Sequence, residues 1–301
     1  MSIPFIVGAY ASMPKVPEQR AYYTLLAQEP WISGLEIPFP GPLSDDPASF
    51  AEVIAPHWNT CTVTAVPGTM AAISQQPDFG LASPFSEGRA AAVQFTRAIA
   101  TSIAQLHDAL GREVVAKVEL QSAPREVGTA DDFAQSLVEI AQFDWSGAVP
   151  VIEHCDQYIP EQPPEKGFLS LEDEIEVAQA TGFDIQINWG RSAIEGRSAR
   201  TPLDHVISVR DAGVLAGVFF SGAGPKETIY GHPWVDGHMP ATSDEPASIM
   251  TVDHIQEVTR ATLEEPGAAS YCGAKICVPP SASLSERIGF IKTIYRAVAG
   301  A

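Results

Sequence analysis

Basic residues and long apolar runs are both scarce in this chain, and each shortage excludes a class of protein. The 301 residues include 18 Lys and Arg against 37 Asp and Glu, a formal net charge of −19 at pH 7. A surface this acidic repels nucleic acid and anionic membranes. No apolar run is long enough to span a bilayer, and the start MSIPFIVGAY lacks the basic segment of a secretion signal. We therefore expect a soluble, cytoplasmic protein with no nucleic-acid or membrane partner.

Cysteine is rare as well, and several well-known catalytic motifs are missing. The four cysteines, Cys61, Cys155, Cys272 and Cys277, show no CxxC spacing, which argues against a zinc cluster and a disulfide framework. The patterns GxSxG, GxxxxGK(S/T), HExxH and GxGxxG are absent, so nothing supports a nucleophile elbow, a P-loop, a zincin site or a dinucleotide site. We expect four reduced thiols in the core.

Short β-branched runs alternate with longer amphipathic runs along the whole chain. Eight such pairs can be counted, from PFIVGAYA at Pro4 to SYCGAKICV at Ser270, and no linker separates the two halves. Eight βα units in about 300 residues are typical of a (β/α)8 barrel, so we predict an α/β protein with a single barrel domain over residues 1–301. A doubly wound sheet is the alternative, but it lacks the glycine fingerprint expected after the first strand.

The same pattern predicts the ends of individual elements. We expect a long helix with Ser86 as N-cap and Gly111 at its end, and a capping box of Ser170 with Asp173. The run LEDEIE from Leu171 is interpreted as a solvated first turn. The predicted strands end near Ala11, Phe39, Pro67, Gln121, Asp156, Gly190, Gly222 and Val278.

Polar side chains fall at the carboxyl ends of the predicted strands, where barrel enzymes place their catalytic groups. They are Glu36, Glu119, Gln121, Glu153, His154, Asp156, Asn188, Trp189, Arg191, Ser221 and Lys275. Glu153 is the strongest candidate because it ends the run VPVIE. For Glu36 and His154, a structural role is the alternative to a functional one. For Glu119, the structural alternative is an ion pair with Lys117. We expect Glu119, Glu153, Asn188, Arg191 and Lys275 to line one cavity.

The loop after the seventh strand, YGHPWVDGHMP, combines histidines and aromatic residues. Its spacing of His232, Asp236 and His238 matches no established metal motif. A loop of this length is uncommon without a function, and Tyr230 and Trp234 have rings that can stack on a sugar. We predict a lid in which His232, Trp234 and His238 bind substrate.

From PFIVGAYA through GLEIPF and VPVIEH to GAKICVPP, the sequence resembles the xylose-isomerase-like barrels, which include sugar-phosphate isomerases, ketose epimerases and endonuclease IV. The resemblance implies a divalent cation held by a carboxylate ending strand five, an acid and a histidine near strand six, a ligand at strand seven and a carboxylate at strand eight. It also implies that the carboxylates of strands five and eight exchange the substrate proton. Glu153 matches the strand-five carboxylate.

The other family positions carry different residues. Asn188-Trp189-Gly190-Arg191 stands where the family has an acid and a histidine, Ser221 stands at strand seven and Lys275 at strand eight. Because Mg²⁺ and Mn²⁺ prefer carboxylate and imidazole ligands, we expect no metal cofactor, with Mn²⁺, Mg²⁺ or Zn²⁺ as the alternative. Lys275, with Arg191, would instead supply positive charge beside Glu153.

These observations favour an enzyme that isomerises or epimerises a small sugar or sugar acid by proton transfer next to a carbonyl. Glu153 would be the base, Glu119 or His154 the second acid/base, and Lys275 a fixed electrophile. Glu36, Gln121, Asn188, Trp189, Arg191 and Ser221 would bind substrate. A glycoside hydrolase or lyase using Glu119 and Glu153, and an inactive sugar-binding barrel, are the alternatives. A homo-oligomer is a further prediction.

Overall fold

The computed structural model describes residues 3–265 and 267–301. Within these residues, eight parallel strands close into a barrel in the order β1 to β8, which confirms the predicted (β/α)8 architecture. The strands are Phe5–Val7 (β1), Gly34–Pro38 (β2), Cys61–Thr64 (β3), Val115–Leu120 (β4), Val149–Glu153 (β5), Ile185–Asn188 (β6), Leu215–Phe220 (β7) and Tyr271–Ala274 (β8). They are rich in Val and Ile, as expected for strands buried on both faces.

Helices follow the strands along the chain. They are Gln19–Leu26 (α1), Pro42–Asp45 (α2), Pro47–Ala51 (α3), Val66–Gln75 (α4), Ser86–Leu110 (α5), Ala130–Ile140 (α6), Leu171–Thr181 (α7), Trp189–Gly196 (α8), Thr201–Asp211 (α9), Val252–Leu263 (α10) and Leu284–Ala299 (α11). A short 3₁₀ helix, Ala9–Ser12, follows β1. Within the described residues, no helix is both long and apolar enough to cross a bilayer.

The chain divides into two compact units. One comprises the described residues up to Leu35 and those from Ile187 onward, and the other comprises Glu36–Gln186. In the second unit the core includes Val63, Val118 and Val151 on neighbouring strands, all fully buried. In the first unit, Ile6 and Val218 are equally buried. Each unit therefore has an apolar interior of its own, and the polar residues described below stand out against it.

The strands end one to four residues earlier than the sequence predicted. Two differences show the cause: β1 ends at Val7 rather than near Ala11, and β3 ends at Thr64 rather than near Pro67. In both places a helix begins within two residues, Ala9–Ser12 after β1 and α4 after β3. The apolar character continues across the junction, and it cannot by itself distinguish the end of a buried strand from the start of a buried helix.

Helix ends were predicted more closely. Gly111 ends α5 in the left-handed conformation, with φ of 64°, which glycine adopts without steric cost. Ser86 is the first helical residue rather than the N-cap, and the cap position is held by Phe85, which makes no side-chain cap bond. Ser170 caps α7 by accepting a hydrogen bond from the Asp173 N–H at 3.1 Å, which is the N-cap half of the predicted capping box.

The four cysteines are free thiols, and Cys61, Cys155 and Cys272 are buried. Burial raises the pKa of the Cys272 thiol to about 12. The Cys272 thiol therefore remains protonated at neutral pH and acts as a small apolar side chain. Cys277 is only partly buried.

Candidate active site

Three glutamates converge in the Glu36–Gln186 unit. Glu36 lies on β2, Glu119 on β4 and Glu153 at the end of β5, and no side chain of the three is more than 1% exposed. Each contributes a carboxylate oxygen, and these oxygens all lie within 4.8 Å of one another. Like charges this close repel one another strongly. A proton or a cation among these oxygens would relieve the repulsion, and the group is hereafter called the carboxylate cluster.

Glu153 is held in one orientation by its neighbours. Its Oε2 accepts a hydrogen bond from Gln121 Nε2 at 2.8 Å and another from Thr64 Oγ1 at 3.2 Å. Gln121 is itself held, because its Nε2 also donates to the Glu119 carbonyl oxygen at 3.0 Å. Two hydrogen bonds to one carboxylate oxygen favour the ionised form of a carboxyl group. Glu153 thus has the geometry of a preorganised base.

The competing structural explanation for Glu119 finds no support. Within the described part of the chain, Lys117 forms no ion pair with Glu119 or with any other carboxylate. Lys117 is also partly exposed, whereas Glu119 is completely buried. Glu119 therefore belongs with Glu36 and Glu153 and not with the lysine two residues before it.

His154 lies on the other side of the sheet from Glu153, as alternation along a strand requires. Its Nδ1 is 2.6 Å from Oε2 of Glu174, on α7. The other oxygen of Glu174 accepts a hydrogen bond from Ser122 Oγ at 2.5 Å. Glu174 is completely buried, so the interpretation of LEDEIE as a solvated turn was wrong at this position.

Asp156, the next candidate along the chain, ties down the loop that follows β5. Its carboxylate accepts hydrogen bonds from the backbone N–H groups of Glu165 at 2.8 Å and Lys166 at 2.9 Å. Backbone bonds of this kind order a loop. The contacts give Asp156 a structural role.

In the other unit, Asn188 ends β6 and caps α8. Its Oδ1 accepts hydrogen bonds from the Arg191 N–H at 3.2 Å and from Ser221 Oγ at 2.8 Å. Its buried Nδ2 has no hydrogen-bond partner among the described residues. Gly190 allows this close approach, because a Cβ there would lie 2.5 Å from Ser221 Oγ. Trp189 is fully buried beside them.

A second polar group in this unit centres on Asp236. Its Oδ2 lies 3.1 Å from Arg191 Nε, and its Oδ1 lies 3.1 Å from His238 Nδ1. Burial lowers the pKa of His238, and the positive charges of Lys275 and Arg191 act in the same direction, while Asp236 opposes them. His238 is therefore neutral at pH 7. Lys275, which follows β8, is completely buried.

The loop over residues 221–251 holds two of its predicted substrate-binding residues in strained backbone. His238 has φ of 49° and Trp234 has φ of 62°, a region that side chains other than glycine rarely adopt. The Trp234 ring lies 5.3 Å from the guanidinium carbon of Arg197. His232, by contrast, is exposed, with its Nδ1 3.0 Å from the Pro233 carbonyl oxygen. Strain of this kind often occurs at functional sites.

The divalent cation implied by the sequence resemblance can be tested against these residues. At the strand-six position, the only ligand oxygen of the Asn188 side chain already accepts two hydrogen bonds. Ser221 donates its hydroxyl to that same oxygen, and Lys275 places a cation at the strand-eight position. These three positions supply no carboxylate or imidazole, so the residues present do not fit the implied cation site.

The eight parallel strands and the helices that alternate with them define a (β/α)8 barrel. Within that class, residues 6–290 match the family described as "Domain of unknown function (DUF4862)", and the chain belongs to this family. A relative from Salmonella typhimurium (strain LT2), "Uncharacterized protein STM3670", is 34% identical over 302 residues, covering 96% of this chain and 94% of the relative.

Solved structures share the fold at low identity. A D-tagatose 3-epimerase-like protein superposes with a TM-score of 0.61 at 13% identity, covering 99% of this chain and 98% of that chain. The AP endonuclease, family 2 from Brucella melitensis gives a TM-score of 0.61 at 14% identity, covering 97% and 98%. These structures carry the names of enzymes, and the likeness shows that they share the (β/α)8 fold of this chain.

Sequence reasoning missed Glu174 and Ser122. A usable signal was present, because Glu174 occupies the same helical stripe as Leu171, Val177 and Ala178, all buried in α7. A carboxylate on an apolar stripe is seldom accidental, since buried charges are usually paired. The neighbouring acidic residues of LEDEIE concealed that signal.

Proposed function

We propose that this protein is an isomerase or epimerase of a small sugar or sugar acid, acting by proton transfer at a carbon next to a carbonyl. The observation that carries the proposal is the buried carboxylate cluster, in which Glu153 is oriented by Gln121 and Thr64. The printed name of the D-tagatose 3-epimerase-like neighbour supports the same class of reaction.

Glu153 acts as the base. Its carboxylate takes a proton from the carbon next to the carbonyl, and the C–H electron pair becomes the double bond of an enediol. We assign the acid to Glu119, because repulsion among the three carboxylates favours a proton on one of them and the hydrogen bonds to Glu153 favour its ionised form. Glu119 then protonates the carbonyl oxygen. In an isomerisation, Glu153 returns its proton to the neighbouring carbon and Glu119 recovers one from the other hydroxyl. In an epimerisation, removal of the proton by Glu153 leaves an enediolate, Glu119 gives its proton to the opposite face of the same carbon, and the electron pair on oxygen re-forms the carbonyl.

His154 has no part in this scheme, because its Nδ1 lies against Glu174 on the other side of the sheet. Glu36 and Gln121 are proposed to contact substrate hydroxyl groups from within the same unit. The buried Nδ2 of Asn188, which lacks a hydrogen-bond partner among the described residues, supports a substrate-binding role for that residue. The corresponding roles of Trp189, Arg191, Ser221, His232, Trp234, His238 and Lys275 stay predictions.

The test is hydrogen exchange at carbon. The purified protein is incubated in D₂O with D-fructose, D-tagatose or D-glucuronate, and NMR follows deuterium at the carbon next to the carbonyl. We expect exchange with at least one of these sugars, abolished in Glu153→Gln and retained in Glu176→Gln, which changes an exposed glutamate of α7. Equal exchange by wild type and Glu153→Gln contradicts the assignment of the base.

A retaining glycoside hydrolase is the second candidate. An oxygen of Glu119 and an oxygen of Glu153 lie within 4.8 Å of each other, which is below the roughly 6.5–9.5 Å between the carboxyl groups of inverting enzymes and so favours the retaining type, with about 5 Å. Release of p-nitrophenol from nitrophenyl glycosides distinguishes this candidate from the isomerase. Hydrolysis without carbon-bound deuterium identifies a hydrolase, and sugar binding without either reaction identifies an inactive barrel.

A further inference from the structure

The ends of β4 and β5 are joined twice, once on each side of the sheet. On the side of the carboxylate cluster, Gln121 Nε2 donates to Glu153 Oε2 at 2.8 Å. On the opposite side, Ser122 and His154 both contact the Glu174 carboxylate, at 2.5 and 2.6 Å. We call the second set, Ser122, His154 and Glu174, the outer link.

Adjacent positions on each strand explain this arrangement. Residues 121 and 122 directly follow β4, and residues 153 and 154 are the last residue of β5 and the residue after it. Successive side chains point to opposite sides of a sheet. Any movement of His154 therefore moves the Cα atom next to it, which carries the side chain of Glu153.

The outer link is built to resist such movement. All three side chains are completely buried, and hydrogen bonds to a charged carboxylate are short and strong. The link also reaches the loop before α7, since the Leu169 N–H donates to Ser122 Oγ at 3.3 Å. Two strand ends and the start of a helix thus meet at one carboxylate.

We infer that Glu174 is a positioning residue, which fixes the direction of Glu153 by holding His154 and Ser122 on the far side of the sheet. The inference rests on the proposed function, in which Glu153 is the base. Proton transfer requires the reacting atoms to lie within narrow limits, so a displacement of about 1 Å lowers the rate by about 100-fold. Glu174 touches no substrate in this scheme.

The test uses four variants. Glu174→Gln keeps the size of the side chain, but an NH₂ group replaces one of its two oxygens. Because Ser122 and His154 contact different oxygens of Glu174, one of the two contacts loses its carboxylate acceptor. His154→Asn keeps a donor near the position of Nδ1, whereas His154→Leu removes it. Glu176→Gln, on the exposed face of the same helix, is the matched control.

The first readout is the deuterium-exchange assay with the three sugars named above. We expect kcat to fall about 10- to 100-fold in Glu174→Gln and His154→Leu, with KM within about twofold of wild type. His154→Asn should restore most of kcat, and the control should match wild type. Wild-type kcat in both Glu174→Gln and His154→Leu overturns the inference, as does a fall confined to KM.

The second readout does not depend on activity. The His154 N–H donates to the Gln186 carbonyl oxygen at 3.0 Å, and hydrogen exchange of this amide reports local opening of the strand end. We expect faster exchange in Glu174→Gln than in the control, and a crystal structure of Glu174→Gln in which the Gln121–Glu153 hydrogen bond is lengthened or broken. An inactive wild-type protein contradicts the proposed function alone, and an unchanged Glu153 in that crystal structure overturns the positioning role.

Discussion

A single amide at the end of β4 does much to determine the state of the proposed base. Gln121 donates to both the Glu153 carboxylate and the Glu119 carbonyl oxygen. It therefore links the proposed base to the residue proposed as the acid. Hydrogen bonds to charged groups contribute about 1.5–3 kcal/mol. Loss of this hydrogen bond would lower the reaction rate only if the rate depends on the orientation of Glu153.

Replacing Gln121 with methionine tests this dependence, because methionine has a similar volume and no donor. We expect kcat for deuterium exchange to fall about 10- to 100-fold, since a bond of about 1.5–3 kcal/mol is lost. Thr69→Val, which removes only the 3.4 Å contact to Gln121 Oε1, serves as the control. Equal kcat in wild type and Gln121→Met argues against an oriented base.

His238 offers a measurement that needs no substrate. Because burial lowers its pKa and Lys275 and Arg191 add to the effect, its ring should titrate below the ordinary value of about 6.5. NMR of the histidine ring protons, with His238→Gln to assign the signal, measures this directly. Arg191→Gln should raise the pKa of His238, because it removes a positive charge, and a ring that titrates at or above 6.5 contradicts the expectation.

At the scale of the element, His107 connects α5 to the start of β4. Its Nε2 accepts from the N–H groups of Val114 and Val115 at 3.1 and 3.0 Å, and its Nδ1 lies 3.0 Å from the Ser146 carbonyl oxygen. Only a neutral ring can accept at Nε2. Burial is the largest influence on His107 and lowers its pKa.

The sign of the pH effect on stability follows. As pH falls below about 6.5, the unfolded chain takes up a proton at His107 that the folded chain resists, so the free energy of unfolding decreases. We expect Tm of the wild type to fall between pH 7.5 and 5.5. The fall should be smaller in His107→Gln, whose side chain does not titrate, than in His57→Gln on the exposed surface. Equal falls in both variants exclude His107 as the cause.

The junction of β6 and α8 depends on a glycine. A Cβ at Gly190 would lie 2.7 Å from the Ser221 carbonyl oxygen. This distance is a steric clash, and it could be relieved only by a shift of the backbone. Gly190→Ala should lower Tm, whereas Gly289→Ala, in α11 with no neighbour within 4 Å of the added Cβ, should raise it because alanine favours helix by about 1 kcal/mol. A Gly190→Ala variant as stable as wild type contradicts the packing argument.

The positions of strands and helices were easier to predict from the sequence than the side-chain contacts between them. The position of Glu153 followed from the strand VPVIE, because a strand end can be read from local pattern. The bond from Gln121 and the approach of Glu36 depend on which strands are neighbours and in what register, which local pattern does not contain. Glu174 was hidden for a further reason, since its acidic neighbours made a paired, buried carboxylate look like part of a solvated face.

At the scale of the whole molecule, the eight alternating periods sufficed to predict the closed barrel, because short connections and right-handed crossovers leave few other arrangements. The prediction of a single domain and of a homo-oligomer stays a prediction. So does the expectation that Glu119, Glu153, Asn188, Arg191 and Lys275 line one cavity.

The metal content of the whole protein can be predicted from the residues at the cation-binding positions that the family resemblance implies. Since Asn188, Ser221 and Lys275 do not fit the implied cation site, we expect elemental analysis of purified protein to find well below one equivalent of Mn²⁺, Mg²⁺ or Zn²⁺. Deuterium exchange should be unchanged after EDTA treatment. Loss of exchange in EDTA with recovery on adding Mn²⁺ would show that a cation binds, and Glu36→Gln would then identify whether the carboxylate cluster holds it.

The outer link also constrains how this family changes over time. Glu174 loses one of its two side-chain partners if Ser122 or His154 is replaced, and replacing Glu174 removes a buried partner from both of them. Relatives should therefore inherit the three together or lose them together, with apolar residues filling all three places. In a relative that keeps Glu174 but has apolar residues at the other two positions, we expect another side chain or backbone group to donate to Glu174. Such a relative would be a candidate for a changed reaction.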